Sequence, residues 1–214
     1  MMSSSLIRFD NSEDLIESLS SKIVEILHKE ILQKGFASII VSGGSTPKKL
    51  FEKLSISSLN WSKVKIGLVD ERVVETTNPN SNENLVRKYF LQNKASEAIF
   101  VNMENQKELF PFDITILGMG GDSHTASLFP NNEKLKEAYT TSDLTINITP
   151  SSAAYDRVSS TLYAIKKSKN LFLHIEGTEK FEVLQKALSN SDIYNMPISA
   201  VLNDKEIQVE VYHT

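Results

Sequence analysis

The chain has no cysteine in its 214 residues. Disulfides, thiolate metal sites and cysteine nucleophiles are therefore excluded together. Positive charge is not in excess either, with 23 Lys and Arg against 27 Asp and Glu. A phosphate backbone selects basic faces, so nucleic acid is not an expected partner. No apolar run approaches the length of a membrane span. The start, MMSSSLIRFD, lacks the basic region and apolar core of a signal peptide. These absences set the expectation of a cytoplasmic protein with no membrane partner. The length suits one large domain with its own core. No repeat, low-complexity tract or linker interrupts it, so residues 1–214 are read as a single domain.

The apolar pattern divides the chain. Leu15, Ile16, Leu19, Ile23, Ile26, Leu27 and Ile31 recur at spacings of three and four, which predicts a helix over Asn11 to Leu32. Asn11 or Ser12 is its cap. FASIIV (36–41), VKIGLV (64–69), ITILG (114–118) and NLFLHIEG (170–177) are short continuous apolar runs. Such runs suit strands buried on both faces, as in parallel sheets. IQVEVYH (207–213) alternates like an edge strand. Helices are expected from Pro47 through Leu54, after Ser81, and after a Thr178 cap; DERVVETTNPNS reads as a loop. Alternating strands and helices predict an α/β fold with a mostly parallel sheet and helices on both faces. Residues 131–160 show no clear pattern.

Glycine is scarce at eight residues, yet five of the eight fall in two turns. Gly43 and Gly44 lie in SGGST after the first expected strand; Gly118, Gly120 and Gly121 follow the third. Ligands in open parallel sheets bind beyond the carboxyl ends of the strands, where both turns lie. Ser42, Gly43, Gly44, Ser45 and Thr46 precede a helix, which makes either an anion cradle or a plain strand–helix turn. No GxxxxGK[ST] is present, and Gly118, Gly120 and Gly121 do not complete GxGxxG. Arg72, Arg157 and Lys180 are candidate phosphate partners, set against the plain reading of solvated charges. His124, in the glycine-lined turn beside Asp122, is the candidate proton carrier. Asp122 either orients it or caps a helix. His28 reads as a surface residue, His174 as structural, and His213 as part of a frayed end. No His pair or acidic cluster has metal-ligand spacing, so no metal is expected.

Taken in order, VSGGSTPK (41–48), VDERVV (69–74), SNENLVR (81–87), LGMGGDSHTASLFP (117–130), DRVS (156–159) and EGTEKFEVLQKAL (176–188) resemble the 6-phosphogluconolactonase family. The resemblance implies a modified Rossmann-like fold shared with glucosamine-6-phosphate isomerases. It implies hydrolysis of 6-phospho-D-glucono-1,5-lactone, in the oxidative pentose phosphate pathway, with no metal or organic cofactor. The partner is then a small-molecule substrate, and the protein a monomer or small homo-oligomer. On this resemblance the SGGST turn, Arg72, Arg157 and Lys180 take the phosphate. Gly120 and Gly121 pass under the sugar, His124 is the general base, and Asp70 and Glu71 fix Arg72 or bind hydroxyls. Ser123 stands where the family usually has glycine, which a negative φ would accommodate. Two alternatives share the sugar-phosphate chemistry. An isomerase or deaminase of this fold carries a glutamate shortly after the histidine, which is missing here. A non-catalytic sensor would be expected to lose the histidine, which is present.

Overall fold

The structure, a computed structural model, describes residues 4–214. Seven parallel strands form the central sheet in the order β1 (Ser4–Arg8), β10 (Val209–His213), β9 (Asn170–Ile175), β6 (Ile114–Leu117), β2 (Ala37–Val41), β3 (Val64–Leu68) and β5 (Ile99–Phe100). On one face lie α1 (Ser12–Lys34), α2 (Lys48–Ser55) and α3 (Asn82–Tyr89). Against the other pack α4 (Leu135–Thr140), α5 (Leu162–Lys166), α6 (Thr178–Leu188) and α7 (Ser199–Leu202). No helix among the described residues is long and apolar enough to cross a membrane.

The periodic helix forms as its pattern dictates. Leu15, Leu19, Ile23 and Leu27 are fully buried against the sheet, each burial contributing on the order of 1.5–3 kcal/mol. Asn11 is the cap, its side chain accepting from the Asp14 amide at 2.9 Å. Two other helix starts differ from the sequence reading by one residue. Pro47 and Gly177 occupy the cap positions of α2 and α6, and Thr178 is the first helical residue.

Two assignments are corrected. The 207–213 segment is not an edge: β10 lies between β1 and β9, and Gln208 and Glu210 supply its apparent alternation. The edge on that side is Ser4–Arg8, too short and too exposed to carry a strand signal. The segment opening with Asp70 is not all loop. Asp70–Arg72 forms β4 of a second, antiparallel sheet, in the order β4, β8 (Arg157–Ser160), β7 (Thr145–Ile148). That sheet draws most of its residues from the segment without a clear pattern, and it places Arg72 opposite Arg157.

At the end of the sheet away from these turns, Asp113 is wholly buried and accepts from the Ser38 amide at 2.7 Å and from Lys34 at 2.6 Å. Lys169 adds an ion pair at 3.0 Å. Burial alone would raise the Asp113 pKa, but the Lys34, Lys169 and Ser38 contacts outweigh it and hold the carboxyl below its ordinary 3.8. A carboxyl with a depressed folded pKa contributes stability above the unfolded value, and the contribution fades as pH falls through the folded one. Asp113→Asn should therefore cost about 1–3 kcal/mol near neutral pH, since both lysines can rehydrate but the buried Ser38 amide loses its charged acceptor. Denaturant midpoints for wild type and variant should converge below about pH 3.8; an equal gap at all pH values would contradict this.

Candidate active site

The carboxyl ends of β2, β3, β6 and β9 open into one cleft of about 390 Å³. Its wall contains Ser42 to Pro47, Asp70, Arg72, Gly118 to Gly120, His124, Arg157 and Lys180. Residues scattered over some 140 positions meet there because each follows, or leans over, a strand end. Asp122 and Gly121 do not line the cleft; both are exposed, in the turn that carries His124.

The SGGST turn leaves its amides outward. Gly44 has φ 96°, and the N–H groups of Gly43, Gly44, Ser45 and Thr46 have no acceptor among the described residues. Such a row of free donors at a helix start suits an anion. Lys180 reaches across from α6 and donates to Thr46 Oγ1 at 3.1 Å. Burial lowers its pKa, and the nearby charges of Glu176 and Glu179 offset only part of that.

Arg72 and Arg157 stand side by side on β4 and β8, and neither makes an ion pair among the described residues. Arg72 donates to the Asn80 carbonyl, and Arg157 to the Ala154 carbonyl at 2.9 Å. The Nε of each is buried without a partner. Burial, and next the Arg72 charge, depress the Arg157 pKa; Asp70 and Glu71 act against this. Neither acid pairs with the Arg72 guanidinium, but Glu71 Oε1 accepts from the Arg72 amide at 2.6 Å. Asp70 accepts from Ser127 Oγ at 2.6 Å, and Glu71 caps α3 through the Asn82 and Glu83 amides, each at 2.7 Å.

His124 Nδ1 lies 2.5 Å from Asp122 Oδ1, and the His124 amide donates to the same oxygen at 3.1 Å. Asp122 thus orients the imidazole; no helix begins at this turn for it to cap. Burial would raise the Asp122 pKa, but the hydrogen bond and charge of His124 bring it below the ordinary range. An ionised carboxylate only accepts, so Nδ1 carries the proton and Nε2 is left as the free position. No protein group among the described residues bonds Nε2. Phe129 packs against the ring with centroids 4.7 Å apart. Gly120 makes the arrangement possible. A Cβ there would sit on the His124 ring and 2.6 Å from Asp122 Oδ1.

The Gly118 amide donates to Ser42 Oγ of the neighbouring turn, and the Gly120 amide to the His124 carbonyl within its own. Those of Met119 and Gly121 have no acceptor among the described residues. Ser123 departs from the expected backbone, with φ 71° rather than negative, and its hydroxyl is buried without a partner. Ser123→Gly should stabilise the fold by about 1 kcal/mol, because relief of left-handed strain and of an orphan hydroxyl outweighs glycine's entropy. A lower melting temperature for the variant would contradict this.

Two polar lining residues had no functional reading in the sequence. Asn82 faces Gly43, where a Cβ would overlap its amide group. His174, at 2% exposure, lines the cleft from β9 and bonds Glu176 through Nε2 at 2.9 Å. A polar residue near the carboxyl end of an apolar strand was the available signal for it. His213 is not frayed: it is buried and stacks on Phe181 at 4.7 Å. His28 is exposed on α1.

Residues 10–210 match the sequence profile of the glucosamine-6-phosphate isomerases/6-phosphogluconolactonase family. A 6-phosphogluconolactonase of Rhizobium meliloti is 38% identical, with 99% of each chain aligned. One of Helicobacter pylori is 36% identical over 97% of each. The crystal structure of a 6-phosphogluconolactonase from Shewanella baltica superposes with a TM-score of 0.95 at 38% identity, covering 100% of this chain and 99% of that one.

Proposed function

The chain belongs to the family of glucosamine-6-phosphate isomerases and 6-phosphogluconolactonases, and from that premise we infer a 6-phosphogluconolactonase, which opens 6-phospho-D-glucono-1,5-lactone to 6-phospho-D-gluconate in the pentose phosphate pathway. Relatives bearing that name align over nearly the whole chain. The observation that carries the mechanism is the Asp122–His124 pair, whose free Nε2 shares a cleft with a row of unpaired amides.

Water attacks the lactone carbonyl carbon while its proton passes to His124 Nε2. Asp122 holds the proton on Nδ1 and stabilises the imidazolium that forms. A free amide of the Gly118–Gly121 turn receives the developing oxyanion. The ring C–O bond then breaks, and Nε2 returns the proton to the departing ring oxygen. The SGGST amides, Lys180, Arg72 and Arg157 hold the phosphate. No metal or organic cofactor takes part. The protein acts as one cytoplasmic domain on a small molecule, as a monomer or small homo-oligomer.

The isomerase alternative is weaker because the turn after His124 runs Thr-Ala-Ser-Leu-Phe, with no glutamate to support the histidine. Offering the protein fresh 6-phosphogluconolactone and, separately, glucosamine 6-phosphate decides between them. Turnover of the lactone alone is expected; turnover of the amino sugar alone would overturn the reading. Unphosphorylated gluconolactone should be a poor substrate, and Arg72→Ala should weaken kcat/KM for the phosphorylated lactone by about 1.5–3 kcal/mol, the loss of a charged hydrogen-bond partner. Equal efficiency on both lactones would remove the phosphate contacts from the account.

A further inference from the structure

Lys180 is half-buried beside two carboxylates of its own neighbourhood, yet it pairs with neither. Glu179 lies over Gly121, its Oε1 3.3 Å from where a Cβ would stand. Glu176 precedes Lys180 by four residues, across the Gly177 turn, and its charge acts on the ammonium. Glu176 is engaged elsewhere: His174 holds it at 2.9 Å. That hydrogen bond is the leading reason the Glu176 carboxyl stays below its ordinary range. The carboxylate can only accept, so His174 Nε2 is the donor. His174 is 2% exposed and fixed in β9 between β6 and β10, so the donor has no freedom to turn away.

We propose that His174 is a positioning residue: by occupying Glu176 it keeps that carboxylate off Lys180, so the ammonium stays open for the ligand's phosphate. The inference rests on the lactonase reading, with Lys180 in the phosphate subsite. Without the His174 donor, Glu176 is free to turn to Lys180, on which its charge already acts. An internal Glu176–Lys180 pair would then have to be broken by every phosphate that enters. Ser12 and Lys49, which also act on Glu176, are the competing destinations.

The test is a set of variants titrated calorimetrically with 6-phosphogluconate and assayed with the lactone. His174→Leu should weaken 6-phosphogluconate binding about tenfold or more, the worth of a charged contact, and should raise KM far more than it lowers kcat. His174→Gln, whose terminal N–H can still reach Glu176, should stay near wild type. Adding Glu176→Gln to His174→Leu should restore affinity, because the competing charge is gone; a merely structural role gives no such rescue. Affinity unchanged in His174→Leu, with Glu176 drawn to Lys49, would overturn the proposal, as would a double variant as weak as the single. Should His174→Leu not fold, His174→Asn, too short to donate, takes its place against His174→Gln and in the double variant. A wild-type protein that neither binds 6-phosphogluconate nor opens the lactone strikes the lactonase reading instead.

Discussion

His124→Asn should lower kcat on 6-phosphogluconolactone by about 10²–10⁴-fold, the usual worth of general acid–base catalysis. Asparagine keeps a polar side chain beside Asp122 but cannot take a proton near neutral pH. Binding of 6-phosphogluconate should change little, because the proposed phosphate contacts lie on the SGGST turn, β4, β8 and α6. His28→Asn, on the exposed face of α1, is the control. A correctly folded His124→Asn protein that turns over at close to the wild-type rate would remove His124 as the base, leaving the family membership intact.

Gly120→Ala should lower kcat by about 10²-fold or more, the scale of an ångström-sized misplacement of a catalytic group. The backbone at Gly120 is not in the left-handed region, so alanine is conformationally acceptable and the fold should form. The cost is steric and local. The new methyl falls on the imidazole and close to Asp122 Oδ1, so the pair must separate or tilt. Gly121→Ala is the comparison, because its methyl meets only the far end of the Glu179 side chain at 3.3 Å. Its effect on kcat should be much smaller. Equal losses in the two variants would mean that the turn as a whole, and not the His124 position, is being disturbed. The melting temperature of Gly120→Ala separates a displaced imidazole from a damaged fold.

Long periodic or continuously apolar segments were legible. The first helix and the strands at 37–41, 64–68, 114–117 and 170–175 follow from burial on one face or on both. The antiparallel sheet was not, because its strands of three and four residues are too short to show a period and meet only through tertiary contacts. For the same reason the pairing of Arg72 with Arg157 could not be read, although each was visible as a cation. The two glycine-rich turns stood out because glycine is scarce elsewhere. Which amides they leave free depends on partners distant in sequence, such as Ser42 with Gly118. The positive φ of Ser123 was hidden because serine rarely adopts it. Glu71 illustrates the limit from the other side. Its place after a strand suggested that it fixes Arg72 or binds a hydroxyl; it does accept from the Arg72 amide, but the start of α3, eleven residues on, supplies further amides that take its carboxylate and that the sequence did not show.

The most direct measurement is the decay of freshly made 6-phosphogluconolactone in the presence of the purified protein, with spontaneous opening subtracted. The account predicts an acceleration proportional to enzyme concentration, inhibited competitively by 6-phosphogluconate and largely lost in His124→Asn. No acceleration over the spontaneous rate would contradict it.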